Sequence, residues 1–357
     1  MQKIIRILAY QLYVVQTLDN PANDSDVKTS FLPRLVNGQA GDPALFVDVL
    51  REKRGLLLDC GTLEALAPSE ILRVSDVFIS HAHIDHFIGF DHLLRLHLGR
   101  GKRVRVFGPP GITACVRGKL SGFTWNLVKH QRLVYEVHEW DGRRQRITEF
   151  HCRDRFRPGP VLEQRPSEVL WSDALITVRA AVLDHKIPSL AFSVVEGDFW
   201  NINPVALEQL GLRPGPWLNE LKREVRKPGG PAANLKVEGC EYAVRELAER
   251  LLIVTPGKKL AYVADARGSE ENLAQIAQLA HQADLLFCEG AFLHEDRERA
   301  DQTCHLTARQ AGQAARRAQV RRLVVFHFSP KYEHRYSELE QEAQAAFLEG
   351  APPVGSA

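Results

Sequence analysis

Residues 81–86 read His-Ala-His-Ile-Asp-His and follow directly on the apolar segment Val77-Phe78-Ile79-Ser80. Four metal-ligating side chains within six residues satisfy neither helical nor strand periodicity. In an extended segment that breaks into a turn, His81 and His83 project to one side at period two, and the turn swings Asp85 and His86 round. One tight loop can thus offer ligands to each of two metal ions. Imidazole with carboxylate suits zinc, with manganese or iron as alternatives. His92 and His97 lie on the following helix and read as surface or packing residues outside the ligand set.

The flanking pattern says what kind of fold carries this loop. Ala44–Leu50 and Leu56–Gly61 read as two strands joined by a charged, glycine-ended turn. After the histidine loop comes a helix with Phe90, Leu93, Leu94 and Leu98 on one face, then the strand 104–108 closed by Pro-Pro-Gly, then a short helix over 112–120. Strands are expected at 133–140 and 145–152. The C-terminal third alternates strands (260–265, 284–289, 323–327) with helices (271–283, 307–319, 337–347). Such alternation argues a layered α/β architecture. Asp265 and His327 each close an apolar strand, where such sheets present functional side chains. Residues 199–237, rich in Pro, Gly and Asn around a helical piece, read as an inserted arm on a single domain spanning 1–350. The tail 351–357 is expected to fray.

The bulk numbers exclude several classes. The 357 residues are 45% hydrophobic and 25% charged, with a formal net charge of +2, so nucleic acid would have to be held by local basic patches. Six dispersed cysteines form no C-x-x-C pair and suggest thiols in a reducing compartment. The N-terminal apolar run is interrupted by Gln11 and lacks a small-residue cleavage site, so a strand is expected there and not a secretory leader. No apolar run reaches the length of a transmembrane helix. A cytoplasmic protein with no membrane association is expected.

The motif at His81–His86 resembles the H-x-H-x-D-H signature of the metallo-β-lactamase superfamily, and the order of later motifs resembles ribonuclease Z, the tRNA 3′-processing endonuclease family. The resemblance runs from about Ala44 to Tyr332. Leu56–Gly61 is similar to the family's first motif, with Asp59 orienting the metal loop. Leu183–Phe192 is similar to the third ligand motif and points to His185; Ala261–Arg267 gives Asp265 and Val324–Tyr332 gives His327. The resemblance implies an αββα four-layer sandwich with an exosite-like arm and two divalent metal ions, zinc first, with Mn2+ or Fe2+ possible. His81, His83 and His185 would hold one ion and Asp85, His86 and His327 the other, with Asp265 bridging. Two such ions about 3.5–4 Å apart can share a hydroxide and clamp the attacking and leaving oxygens; Asp85 could also steer the water or accept its proton.

Two further segments bear on substrate. Cys304–Ala308 resembles the family's H-S/T-x motif and Phe287–Ala291 its H-E-A-T segment, with Leu306 and Cys288 as departures. Expelling an alkoxide from RNA calls for an acid, so His305 is assigned as general acid and Glu289 as the carboxylate that fixes its tautomer. The other reading of the pair is a helix-terminal histidine with a capping glutamate. Leu210–Lys222 resembles the Gly-Pro exosite motif. Arg213, Pro214, Gly215, Pro216, Trp217, Lys222 and Arg223 are its candidate RNA-binding residues, with Arg226 and Lys227 extending the charge and Trp217 as a stacking surface. Arg143, Arg144 and Arg146, and Arg153, Arg155 and Arg157, could extend an RNA track.

The expected activity is therefore cleavage of 3′ trailers from precursor tRNA, with homodimerisation implied by the family resemblance alone. The alternative is hydrolysis of a small substrate on the same metals: a cyclic nucleotide or other phosphodiester, or a lactone or thioester. The usual glycine-rich opening is absent from Ser30–Pro43, and residues 122–140 match no family motif.

Overall fold

The computed structural model describes residues 30–50, 52–164, 167–227 and 232–349. The N-terminal strand and the C-terminal tail expected from the sequence lie outside the described residues. Eight strands form the first sheet in chain order: β1 (Phe31–Leu35), β2 (Leu45–Val49), β3 (Arg54–Leu58), β4 (Val74–Phe78), β5 (Arg103–Gly108), β6 (Val134–Trp140), β7 (Gln145–His151) and β8 (Leu162–Gln164). From β3 to β6 they run parallel, and the outer pairs are antiparallel hairpins. β1 was not legible in the sequence because Pro33 interrupts it. Pro33 is tolerated there because β1 is an edge strand, which needs no ladder bond on its outer side.

The chain then enters the second sheet through β9 (Val169–Ser172), β10 (Ile176–Asp184) and β11 (Pro188–Glu196). It leaves the body along β12 (Phe199–Ile202), forms the hairpin β13 (Asn234–Val237) and β14 (Cys240–Ala243), and comes back along β15 (Leu252–Thr255). Three parallel strands complete the second sheet: β16 (Lys259–Val263), β17 (Leu285–Glu289) and β18 (Leu323–Phe326), in the order β18-β17-β16-β11-β10-β9.

Phe78, Phe107, Phe192, Tyr262 and Phe326 meet between the sheets with no more than 1% of their surface exposed. At about 1.5–3 kcal/mol for each large apolar side chain, this layer holds the two sheets face to face. Helices Phe90–His97 and Ile112–Ser121 cover the outside of the first sheet. Helices Glu270–Leu279, Ala308–Arg317 and Tyr336–Leu348 cover the second. The four-layer αββα sandwich expected from the sequence is the fold observed. Among the described residues no helix is long and apolar enough to cross a membrane.

The segment expected as an arm over 199–237 continues to Thr255, because β12 pairs antiparallel with β15 and the two form its stem. Beyond the stem Leu207, Leu212, Trp217, Leu221, Leu235, Val237, Val244, Leu247 and Leu251 make a small core of their own.

Candidate metal centre

β4 stops at Phe78 and the chain turns sharply over the end of β3. Asp59 sits immediately after β3 in left-handed backbone (φ +56°), and its Oδ1 accepts the Ser80 N–H at 2.7 Å. That bond pins the start of the histidine loop. A single helical turn, Ile84–Phe87, follows His83 and carries Asp85 and His86 back towards His81. Its close fit requires glycine behind it: a Cβ on Gly89 would stand 2.0 Å from the Gly61 carbonyl oxygen.

The other candidate ligands arrive from the second sheet. His185 lies in the turn between β10 and β11, Asp265 just past β16, and His327 just past β18, also in left-handed backbone (φ +61°). Asp265 stands at the middle. Its Oδ2 is 3.7 Å from His81 Nε2 and 3.5 Å from His185 Nε2, and its Oδ1 is 3.4 Å from His86 Nε2 and 2.8 Å from His327 Nδ1. Asp85 Oδ2 lies 3.5 Å from His86 Nε2 and 3.3 Å from His327 Nε2. Ligand atoms of His81, His83, His185 and Asp265 lie within 4.8 Å of one another, and so do those of Asp85, His86 and His327. All seven residues singled out in the sequence thus converge, and the two oxygens of Asp265 face different sets.

Divalent cations fit this arrangement. His81 Nε2 and His86 Nε2 are buried and have no hydrogen-bond partner among the described residues. Leaving each such atom unsatisfied costs about 1–3 kcal/mol, and a nitrogen–oxygen set of this kind is what zinc or a similar ion satisfies. Asp265, Glu289, His305 and His327 also lie within ligand distance of one another. Both Glu289 oxygens are already engaged, however, by the Ala266 N–H at 2.6 Å and by His305 Nδ1 at 2.8 Å.

A second layer aims the imidazoles. Asp59 Oδ2 accepts from Tyr262 OH and from Ser80 Oγ, and meets His86 Nδ1, each at 2.9 Å, which leaves His86 Nε2 for the centre. Ser80 Oγ also meets His81 Nδ1 at 3.0 Å, and His185 Nδ1 donates to the Cys304 carbonyl at 2.8 Å. Fixing one ring nitrogen in this way directs the other at a metal. Ser80, Tyr262 and the Cys304 carbonyl carried no sequence signal as functional groups. Ser80 adjoins the first histidine and Tyr262 sits three residues before Asp265, but a backbone carbonyl has no side chain to read.

The same contacts set the charges. Burial, reinforced by the neighbouring His86, pushes His81 down to about 2, so its imidazole is neutral. Burial and the nearby His185 likewise lower His83. Burial disfavours charge on His327 too, but the Asp265 and Asp85 carboxylates outweigh it and lift the group to about 10. Asp85 is raised by burial and lowered more by His327 and His86, to about 2.

His305 stands at the rim, its ring 5.3 Å from His185 and 5.5 Å from His327, centroid to centroid. Burial works against its charged form; Glu289, then Asp265, outweighs burial and raises it. The capping alternative does not describe the geometry. Thr307 caps the following helix with Gln310 in a capping box, and fully buried Glu289 is spent on His305 and Ala266.

The arm departs from expectation at one residue. Trp217 is only 8% exposed, packs in the arm's core and donates its indole N–H to the Arg213 carbonyl at 3.1 Å. It is not a stacking surface, because the apolar ring is what the arm's core is built on. Arg213, Pro214 and Pro216 are exposed, Gly215 and Lys222 half-buried, and exposed Arg223 lies 3.2 Å from Glu220. His97 is buried against the Ile71 carbonyl, at 2.9 Å, as a packing residue.

The Beta-lactamase superfamily domain family matches residues 243–328. The chain is 31% identical over 322 residues to the Ribonuclease Z of Deinococcus radiodurans, covering 86% of this chain and 92% of that protein. It is 27% identical over 311 residues to the Ribonuclease Z of Methanosarcina acetivorans, covering 84% and 87%. Among solved structures, the metallo-β-lactamase fold protein YhfI from Bacillus subtilis superposes with a TM-score of 0.50 at 15% identity, over 88% of this chain and 92% of that one, a likeness of fold alone.

Proposed function

The chain belongs to the ribonuclease Z family, and from that premise we propose that it cuts 3′ trailers from precursor tRNA as a metal-dependent endoribonuclease. We assign two zinc ions to the seven converging ligands, a cytoplasmic location and a homodimer. Bound at such a centre, divalent ions supply Lewis-acid charge and make water a nucleophile near neutral pH. The chain's own residues do the rest. Asp85, half-buried and with its carboxyl held low by His327 and His86, orients the attacking water and takes up its proton in this reading. His305, whose charged form Glu289 favours, donates from its Nε2 to the departing alkoxide oxygen. Glu289 holds the Nδ1 proton and so keeps Nε2 turned to substrate. On the arm, Arg213, Lys222 and Arg223 bind backbone phosphates without reading sequence.

The observation that carries this reading is the 2.8 Å contact of His305 with Glu289 at the rim of the Asp265 centre. A thioester hydrolase expels a thiolate, which leaves without a dedicated acid–carboxylate pair. The test is cleavage of a 3′-extended precursor tRNA by zinc-loaded protein, with His305→Ala and Asp85→Ala alongside. A cut just after the discriminator nucleotide, lost in both variants, supports the assignment. Hydrolysis of a small chromogenic phosphodiester without any RNA cleavage sinks it.

A further inference from the structure

Two cavities run end to end along β10. The first, about 620 Å³, opens at the rim of the metal centre: Asp184 and Lys186, which flank His185, line it together with Arg267, two residues past Asp265. The second, about 1120 Å³, is lined by Arg143 and Arg144 from the β6–β7 turn, Arg179 from β10 and Lys259 from β16. Val182 and Gln275 line both, so the two form one continuous groove.

β9 pairs with β10 only at Thr177, Val178 and Arg179. From Ala180 onward β10 has no strand paired on this side among the described residues, and Ala180 to Asp184 line the groove. From Asp184 to Arg179 the strand spans roughly 17 Å at about 3.3 Å per residue. Arg143, Arg144 and Arg179 have no ion-pair partner among the described residues, whereas neighbouring Arg146 is paired with Glu139. Of the acids in the groove, Asp141 is engaged by the Arg143 and Arg144 backbone N–H groups at 2.9 and 2.7 Å. Asp184 is engaged by the Lys186 N–H at 2.8 Å and Arg267 at 3.3 Å. Glu168 and Glu271 are the others. The end farthest from the metal centre thus carries three guanidinium groups without an ion-pair partner among the described residues.

We propose that this groove holds the trailer: the single-stranded 3′ segment of the RNA leaves the metal centre past Lys186 and runs along the β10 edge to Arg143, Arg144 and Arg179. The proposal rests on the reading of the chain as an endoribonuclease acting on 3′-extended RNA. A flexible polyanion suits a cluster of unpaired guanidinium groups at the end of a groove whose other end is lined by the two neighbours of His185. An acidic peptide could add to the same strand edge, but continuity with the metal centre favours RNA.

The test compares the zinc-loaded full-length protein with an Arg143→Ala, Arg144→Ala, Arg179→Ala variant on precursor tRNAs bearing a single-nucleotide or a long trailer. KM for the long trailer is expected to rise severalfold more than KM for the short one. Binding of a fluorescent single-stranded oligoribonucleotide, followed against salt, is expected to lose slope by roughly 2 in log–log form, about 0.7 for each phosphate contact removed. Equal changes for both trailers, or an unchanged salt slope, overturn the proposal. So does a variant that binds RNA normally but no longer binds poly-glutamate, which would make the groove a protein-docking edge. If the unaltered protein cleaves neither substrate, the endoribonuclease reading fails, and the oligoribonucleotide slope still decides whether the groove holds RNA.

Discussion

His305 Nδ1 lies 2.8 Å from Glu289 Oε2, while the other oxygen of the same fully buried carboxylate accepts the Ala266 N–H at 2.6 Å. Glu289 is thereby tied to the residue that follows Asp265, so the His305–Glu289 pair is anchored to the backbone beside Asp265. Replacing His305 with Ala should lower kcat on precursor tRNA by about 10²–10⁴, the usual worth of a general acid. A substrate with a good leaving group, such as a nitrophenyl phosphodiester, should lose far less. Equal losses on both substrates would remove His305 from proton donation.

Glu289→Gln tests the carboxylate separately. Glu289 raises His305, so its removal lets the imidazole lose its proton at lower pH. A general acid works only while protonated, and the alkaline limb of the pH–rate profile should therefore move to lower pH. A profile that keeps its alkaline limb while kcat falls would assign Glu289 to packing alone.

Metal removal should reverse the pH dependence of stability. In metal-free protein His327 is lifted from 6.5 to about 10, so its protonation stabilises the fold fully below about 6.5, and that contribution fades as pH rises through about 10. A ligating imidazole must be neutral, so metal binding displaces that proton and tightens as pH rises. Chelator-treated protein should melt at progressively lower temperature from neutral to alkaline pH, while metal-loaded protein should not. Parallel curves for the two forms would contradict the assignment of His327 as a ligand.

The support beneath the ligands is open to a milder test. Tyr262→Phe removes one of the hydrogen bonds to Asp59 Oδ2 without emptying the core, and should cost about 1 kcal/mol in unfolding free energy. Metal affinity should fall roughly 10-fold or more, as for other lost partners of metal-binding side chains. Unaltered affinity by competition with a chromogenic chelator would show that Asp59 aims His86 without help from Tyr262.

The arm can be tested by excision. Phe199 and Thr255 face each other in the β12–β15 ladder, so their backbones can be joined directly through a short glycine linker. The shortened protein should bind metal and hydrolyse a small phosphodiester at near-original rates, yet lose most of its action on precursor tRNA through a raised KM. Retained tRNA cleavage would remove Arg213, Lys222 and Arg223 from substrate binding.

Much of this was legible in the sequence, for identifiable reasons. The histidine loop stood out because no secondary-structure period explains it, and Asp265 and His327 because each closes an apolar strand. The layered fold followed from the alternation of strands and helices. Less visible were features set by tertiary position. Pro33 masks β1, since only an edge strand tolerates it. The sequence pattern ends the arm at Val237 because its return path, Cys240–Thr255, reads like ordinary strand and helix, and only the pairing of β15 with β12 assigns it to the arm. Trp217 looked like a ligand platform because a lone tryptophan in a basic segment gives no hint that a small separate core awaits it.

The ligands reach the centre from both sheets, and Asp59 beneath them is bonded to Tyr262 across 203 positions of chain. A growing polypeptide consequently has no complete site until the segment bearing His327 has left the ribosome and β18 has docked. The fragment ending after the histidine loop can offer His81, His83, Asp85 and His86, but not the carboxylate that joins the two sets. If these residues are the ligands, the full metal complement is expected to bind only late in biogenesis, and a metal-sensitive signal followed during synthesis would mark the moment the two halves of the sandwich close.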